Sequence, residues 1–235
     1  GAPEVRKALE RFDFRQPVAL LDLTREVTQM LQQWSVHVTH PRYFGLFNPS
    51  VATAGVLADA ITAIYNPQLA SWSHAPAAQE IERHTLSWLA RKFGVEGFAN
   101  FTSGGAEANQ TALLCALARR YKGWARKGAR GAKVLVTSES HHSIAKAAAM
   151  CGIGSDALRR VKTDANGRMD PEDLDRKSKR ERPVMVVGTA GTTASGVIDP
   201  LPAIADICRK RNIWFHADAA WGGAAVVSPT LRPHL

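Results

Sequence analysis

The sequence of 235 residues predicts an α/β protein with a mostly parallel sheet, preceded by a helical N-terminal segment. From Phe98 onward, apolar β-branched segments alternate with segments of helical periodicity. The strand-like segments are nearly continuous in apolar character, which is typical of strands buried on both faces of a parallel sheet with right-handed crossovers. No internal repeat or long linker interrupts this alternation.

Two helices are expected before the alternating region. Residues 17–34 have apolar positions at helical spacing, and Pro17 suits a helix start. A second helix is expected from about Ala78 to Phe93, because Gly94 provides a common helix stop. Between them, HPRYFGLFNPS (40–50) predicts an extended, ordered loop. These features predict an N-terminal segment over residues 1–75 and an α/β domain over residues 76–235.

The alternating region begins with FANFTSGG, which leads into a long helix predicted over residues 106–125. The predicted strands are KVLVTS (133–138), LRRVKT (158–163), PVMVVGTA (183–190) and IWFHADAA (213–220). Helices are predicted between these strands over residues 143–152, 171–180 and 200–211.

Composition and charge narrow the function classes. Apolar residues make up 45% and charged residues 22%, as in ordinary globular proteins, and no apolar run approaches the ~20 residues of a membrane span. The N-terminal stretch carries charges where a signal peptide is apolar, so we expect a cytoplasmic protein without a membrane partner.

The net charge of the chain is +9, and its basic residues cluster in residues 119–133 and 176–182. Neither cluster has a nucleic-acid reader motif, so a solvated face is favoured over a nucleic-acid partner.

Cys115, Cys151 and Cys208 are odd in number and widely spaced. This pattern fits neither a disulfide framework nor a zinc site, so no metal is expected. Each cysteine lies in an apolar helical context, which predicts buried free thiols.

Chemically unusual residues follow the predicted strands, at the sheet edge where α/β proteins bind ligands. Gly104 and Gly105 open a long helix, where small residues and free N–H groups favour an anion such as phosphate. His141 and His142 follow the first strand, and Thr193 follows the third. The last strand places His216 and Asp218 on one face, since side chains alternate along a strand. A buried aspartate needs a compensating partner, which a cationic ring nitrogen would provide.

Six motifs follow one another between about Val38 and Gly223: HPRYFGLFNPS, Ser71-Trp72 with PAAQEIE, TSGGAEAN, HHS, GTAGTT and HADAAWGG. In this order they resemble the group II pyridoxal-phosphate-dependent amino acid decarboxylases, which include aromatic amino acid, glutamate and diaminobutyrate decarboxylases. The resemblance implies the large domain of a fold-type I enzyme, with pyridoxal 5'-phosphate (PLP) as cofactor. It also implies decarboxylation of an L-amino acid to its amine and CO2, in a homodimer with a shared active site.

The resemblance implies a set of cofactor-binding positions: Gly105, Ala106, His141, Thr193, Asp218 and Ala220. The N–H groups of Gly105 and Ala106 would hold the phosphate, and Thr193 would contact the cofactor. Asp218 would keep the pyridine nitrogen protonated, so that the ring accepts the electrons left when the Cα–carboxylate bond breaks. His141 would stack on the ring and assist proton transfer, while Ala220 would pack against it.

Substrate-facing positions implied by the resemblance are Pro49, Gln68 and Ala70. Decarboxylases of large aromatic amino acids tend to place bulky apolar groups in the stretch that here reads NPQLAS (66–71). A dopa-like substrate is therefore disfavoured, and polar, acidic, diamino and indole substrates all stay open.

The family's Schiff-base lysine is expected in a His-Lys motif beyond Asp218, and the sequence to Leu235 has none. We therefore expect this chain to be part of a longer subunit and to be inactive by itself. Three alternatives stay open: another fold-type I PLP lyase of the cysteine desulfurase kind, a non-catalytic fragment or assembly subunit, and a nucleic-acid-binding module.

Overall fold

The computed structural model describes residues 2–45 and 50–235 and divides into two compact units, Gly1–Ala70 and Ser71–Leu235. The first unit is helical, with α1 (Ala2–Leu9), α2 (Leu20–Trp34) and α3 (Thr53–Tyr65). Helix α2 begins three residues after the expected Pro17, because the backbone is still extended at Ala19. Helices α1 and α3 were not predicted. A left-handed Asn66, with φ 38°, ends α3.

The second unit is the α/β domain. Its helices are α4 (Pro76–Phe93), α5 (Gly105–Arg120), α6 (Trp124–Lys127), α7 (Ser143–Met150), α8 (Pro171–Glu181) and α9 (Leu201–Arg211). Its strands are β1 (Val134–Val136), β2 (Leu158–Arg160), β3 (Met185–Thr189) and β4 (Trp214–Asp218). Short 3-10 turns cover Ser155–Ala157, Gly222–Val227 and Arg232–His234.

The four strands form one sheet in the order β2-β1-β3-β4, and every pairing is parallel. The predicted parallel sheet is therefore confirmed. Strands β1 and β3 are buried throughout, whereas most of β2 and β4 is only partly buried. The expectation that all four are buried on both faces is thus wrong for the outer two, because each has a neighbouring strand on one side only within the described residues.

Glycine lies at two helix boundaries. Gly94 adopts φ 67° and ends α4, as predicted. The single helix predicted over residues 106–125 is instead divided into α5 and α6: the backbone is extended at Tyr121, and Gly123, with φ 75°, directly precedes α6.

Apolar side chains pack on both faces of the sheet. Alternate residues of β1 point to opposite faces, so Val134 joins one cluster and Leu135 joins the other. The first cluster packs β1 and β3 against α5 and α7 through residues that include Leu113, Leu117, Ile144 and Met185. The second packs the sheet against α8 and α9 through residues that include Leu174, Val186 and Ile204. Burying each of these larger side chains stabilises the domain by about 1.5–3 kcal/mol.

The three cysteines do not share one environment. Cys208 is buried on α9, and burial raises the pKa of its thiol to about 12. Cys151 is half-buried, and its thiol pKa is also raised by burial. Cys115 is exposed, so the prediction of a buried thiol is wrong there: it lies on a face of α5 other than the one that Leu113 and Leu117 bury.

Within residues 2–45 and 50–235, no helix is long and apolar enough to cross a membrane. In the same ranges, histidine, cysteine, aspartate and glutamate form no group of three or more that could hold a metal ion.

Candidate functional site

Asp218 lies at the carboxyl end of β4, directly opposite Thr189 at the end of β3, and is 6% exposed. Its Oδ2 accepts a hydrogen bond from Asn109 Nδ2 at 2.9 Å, and its Oδ1 accepts one from the Ala220 N–H at 3.3 Å. Both donors are neutral, so within the described residues this buried carboxylate has no cationic partner. A buried carboxylate of this kind favours a cation placed against it.

Asn109 on α5 connects Asp218 to two further elements of the domain. Its Nδ2 also donates to Ser143 Oγ at 2.8 Å, and its Oδ1 lies 2.6 Å from His216 Nε2 on β4. Burial lowers the pKa of His216, while the neighbouring charge of Asp218 acts in the opposite direction. These contacts form a polar network beneath the carboxyl ends of the strands.

His141 and His142 have different environments although they are adjacent. His141 is half-buried in the loop between β1 and α7, and its Nδ1 lies 2.8 Å from Ser143 Oγ. His142 is exposed, with its ring centroid 4.0 Å from that of His141 and the two planes tilted by 44°. The electrostatic influence of the adjacent His141 ring is the largest cause of the lowered pKa of His142. His141, the one assigned a role from the sequence, is therefore the histidine joined to the Asn109 network.

The glycine turn before α5 lies close to the end of β4. Gly104 is the N-cap and Gly105 the first helical residue, and a Cβ on Gly105 would lie 2.9 Å from the Cβ of Ala220. Ser103 donates from its N–H and its hydroxyl to the Glu107 carboxylate, at 2.7 and 2.6 Å, and these bonds lower the pKa of Glu107. The turn is thus fixed in place, with the N–H groups that open α5, which have no acceptor within the helix, next to Ala220.

The loop after β3 places its two threonines differently. Thr192 is buried, lies 2.8 Å from Ser195 Oγ and accepts a hydrogen bond from the Val197 N–H at 3.1 Å. Thr193, the residue predicted to contact the cofactor, is exposed at the same edge of the sheet. Its hydroxyl is therefore accessible to a ligand, while that of Thr192 holds the loop.

The predicted substrate positions belong to the first compact unit or to undescribed residues. Gln68 and Ala70 are both exposed, and Gln68 Oε1 accepts a hydrogen bond from the Ala70 N–H at 2.8 Å. Pro49 lies outside the described residues. The structure therefore brings Gly105 and Ala220 close to Asp218 and joins Asp218 to His141 through hydrogen bonds, while Thr193 lies in the loop after β3. The substrate positions stay predictions.

Sequence reasoning gave no role to Asn109, which lies inside the TSGGAEAN motif. A signal was available: Asn109, Leu113 and Leu117 recur every four residues, so Asn109 continues the buried stripe of α5. A polar side chain on such a stripe requires a partner. Ser143 was noted only for its spacing from His141, and its contact with Asn109 depends on the tertiary structure.

Comparison with known proteins decides the family. A model described as the pyridoxal-dependent decarboxylase conserved domain matches residues 3–235. The chain belongs to this family. Membership confirms the resemblance and the PLP cofactor that the sequence motifs predicted. It also favours the decarboxylase hypothesis over the cysteine desulfurase alternative.

Several members of the pyridoxal-dependent decarboxylase family are similar to almost the whole chain. Mouse cysteine sulfinic acid decarboxylase is 34% identical over 99% of this chain, and a human acidic amino acid decarboxylase is 33% identical over 99%. These matches cover 49% and 46% of the two relatives, so the chain spans about half their length.

Solved structures of the family confirm the fold. The crystal structure of mouse CSAD in apo form matches with a TM-score of 0.90 and 33% identity, over 99% of this chain and 51% of that one. The glutamate decarboxylase domain of a Vibrio parahaemolyticus protein matches with a TM-score of 0.91 and 28% identity, over 98% and 54%. The parallel sheet with its covering helices is therefore a fold-type I domain.

Proposed function

We propose that this chain is the cofactor-binding part of a PLP-dependent decarboxylase that converts an L-amino acid to its amine and CO2. The observation that carries the proposal is the buried carboxylate of Asp218, hydrogen-bonded by two neutral donors and lacking a cation within the described residues. A protonated pyridine nitrogen would supply the missing positive charge. Family membership over residues 3–235 supports the same conclusion.

The residues around Asp218 fit a flat, phosphorylated cofactor. The first N–H groups of α5, at Gly105 and Ala106, would hold the phosphate, because a helix N-terminus favours an anion. Only a residue without a Cβ fits at position 105 so close to Ala220, and Ala220 would pack against the ring. His141, anchored through its Nδ1, would stack on the opposite face of the ring. Thr193 would contact the cofactor from the loop after β3.

Bound PLP supplies an electron sink for the bond pair released when CO2 leaves. The chain's own residues set the conditions for that step. Asp218 would hold a proton on the ring nitrogen, because its buried carboxylate would lie beside that nitrogen. His141 would stack on the ring and would be placed to return a proton to the substrate carbon. The lysine that binds the cofactor covalently in the family is expected beyond Asp218.

We further propose that the substrate is a small acidic amino acid. The support is the similarity, at 33–34% identity over 99% of the chain, to relatives named for cysteine sulfinic acid and acidic amino acids. Gln68 and Ala70, proposed to face the substrate side chain, are small or polar rather than bulky and apolar, which is consistent with this class. A diamino acid is the competing class, because the Vibrio domain belongs to a protein named for diaminobutyrate.

The test uses the full-length protein loaded with PLP and measures CO2 release from a panel of L-amino acids. Cysteine sulfinate, aspartate and glutamate are expected to give a higher kcat/KM than 2,4-diaminobutyrate, tryptophan or dopa. Preference for the diamino or aromatic members would contradict the substrate assignment alone. Failure to decarboxylate any of them, with PLP bound, would favour a non-catalytic assembly subunit.

We also propose that the working enzyme is a homodimer whose two subunits share the active site. The support within the first unit is the apolar face of α3, on which Leu57, Ile61 and Ile64 are 60%, 58% and 77% exposed. These residues recur at helical spacing, and contiguous exposed apolar surface of this kind marks protein contacts.

A further inference from the structure

Asn109 links three groups of the candidate site, and neither the sequence motifs nor the proposed chemistry assigns it a role. The side chain is 2% exposed. Its amide lies within hydrogen-bond distance of Asp218, Ser143 and His216, at 2.9, 2.8 and 2.6 Å. A planar amide offers two donors and one acceptor group, and here all of them are used.

The charge of Asp218 fixes how this amide is oriented. An ionised carboxylate only accepts hydrogen bonds, so the NH2 group of Asn109 must face Asp218 and the carbonyl Oδ1 must face His216. His216 Nε2 is then the donor in the 2.6 Å contact. Burial lowers the pKa of His216. With Nε2 as the donor, the neutral form of the ring has no proton on Nδ1.

The hydrogen bonds from Asn109 through Ser143 fix the tautomer of His141. Because Asn109 Nδ2 donates to Ser143 Oγ, the hydroxyl proton of Ser143 is available to His141 Nδ1, 2.8 Å away. The Ser143 N–H points at the same Nδ1 at 3.3 Å. Two donors on one ring nitrogen require it to be the acceptor, so the neutral His141 ring carries its proton on Nε2.

We propose that Asn109 is a positioning residue that couples the charge state of Asp218 to the tautomer of His141. The inference rests on the proposed function, because it uses the roles given there to these two residues. Its NH2 group donates to Ser143 on α7 and to Asp218 on β4, which lie 34 and 109 residues away in the sequence. Asn109 on α5 therefore joins three different elements. Its loss therefore disturbs cofactor binding and proton transfer together.

The sharpest test is Asn109→Asp in the full-length protein, with the PLP dissociation constant measured by equilibrium dialysis from about pH 6 to 9. The titratable groups around position 109 are Asp218 and His216 from β4, and His141 through Ser143. The introduced carboxyl can donate to Asp218 only while protonated, and the neighbouring carboxylate raises its pKa. Affinity is expected to stay near that of the wild type at the acid end and to fall about tenfold to hundredfold as the pH rises.

Gln110→Glu is the matched control, since it makes the same exchange at the next position of α5. Its affinity should follow the wild type at every pH. An Asn109→Asp variant that also follows the wild type would overturn the inference. Measuring Asp218→Asn in parallel separates the two proposals. If Asp218→Asn loses PLP while Asn109→Asp binds it normally, only the coupling role of Asn109 fails. If both variants bind PLP normally, the proposed function fails as well.

The link to His141 is tested with Asn109→Ser, which adds no charge and also serves if Asn109→Asp fails to fold. We expect Asn109→Ser to bind PLP more weakly than the wild type, with the same pH dependence. An affinity equal to that of the wild type would count against the inference.

A double-mutant cycle of Asn109→Ser and Ser143→Ala, measured on kcat, then gives the coupling between the two positions. The double variant should lose less than the product of the two single losses. Independent, multiplicative losses would show that Asn109 does not act through Ser143 on His141.

Discussion

Asp218 is buried, and its carboxyl group accepts hydrogen bonds from two neutral donors. Its two donors, Asn109 and Ala220, orient the carboxylate without neutralising it. An uncompensated charge in a buried position costs free energy, and that cost is recovered when a cation binds against it. The residue is therefore suited to recognising a protonated ring nitrogen.

Asp218→Asn removes this charge and keeps the shape of the side chain. We expect PLP affinity to fall and kcat of the full-length enzyme to drop about a hundredfold or more, equivalent to roughly 3 kcal/mol. Absorbance of bound PLP and CO2 release are the measurements. Asp206→Asn, which removes an exposed carboxylate of the Arg209 ion pair on α9, should leave both unchanged. Turnover above a tenth of the wild-type rate in Asp218→Asn would rule out the assigned role.

At the scale of elements, two glycine-containing motifs pack against each other at the ends of β3 and β4. The GTAGTT segment ends β3 and the DAAWGG segment ends β4. A Cβ on Gly222 would lie 2.2 Å from the Ala190 carbonyl oxygen, and one on Gly191, which has φ 93°, would lie 2.5 Å from the Trp221 ring. The Gly222 N–H donates to the same Ala190 oxygen at 3.0 Å. The close approach holds the loop that carries Ala220 against the end of β3.

Gly222→Ala should therefore lower the free energy of unfolding by about 1–3 kcal/mol, because backbone atoms have to move to admit the methyl group. Thermal or urea unfolding of the full-length protein measures the change. Gly55→Ala is the control, since a Cβ at that helical position meets nothing within 4 Å. That variant should be neutral or slightly more stable. Equal stability of the two variants would mean that the contact between the motifs does not constrain the fold.

At the scale of the whole molecule, one exposed apolar face lies on α3 of the first compact unit. The sheet of the second unit buries its central strands completely, whereas α3 in the first unit has no buried residue. The exposed face formed by Leu57, Ile61 and Ile64 is the kind of surface that a subunit interface covers.

If the proposed homodimer uses this face, replacing Ile61 and Ile64 together by Asp should convert the full-length protein from dimer to monomer, because two charges would be buried in an apolar interface. Light scattering after size-exclusion chromatography gives the mass. Thr62→Asp adds a charge to another exposed position of α3 and should leave the dimer intact. A dimer that persists in the Ile61 and Ile64 variant would place the interface elsewhere.

The sequence by itself determined the α/β class, the parallel sheet and the PLP-dependent decarboxylase family. It could do so because strand and helix periods are local, and because the glycine turn, the histidine pair and the aspartate strand each follow a recognisable segment. Tertiary structure alone decided which strands are partly exposed, that the helix after the glycine turn ends at Arg120, and that His141 rather than His142 joins the Asn109 network. The partners of Asn109 are 34 to 109 residues away in sequence, and contacts between such distant residues leave no local pattern.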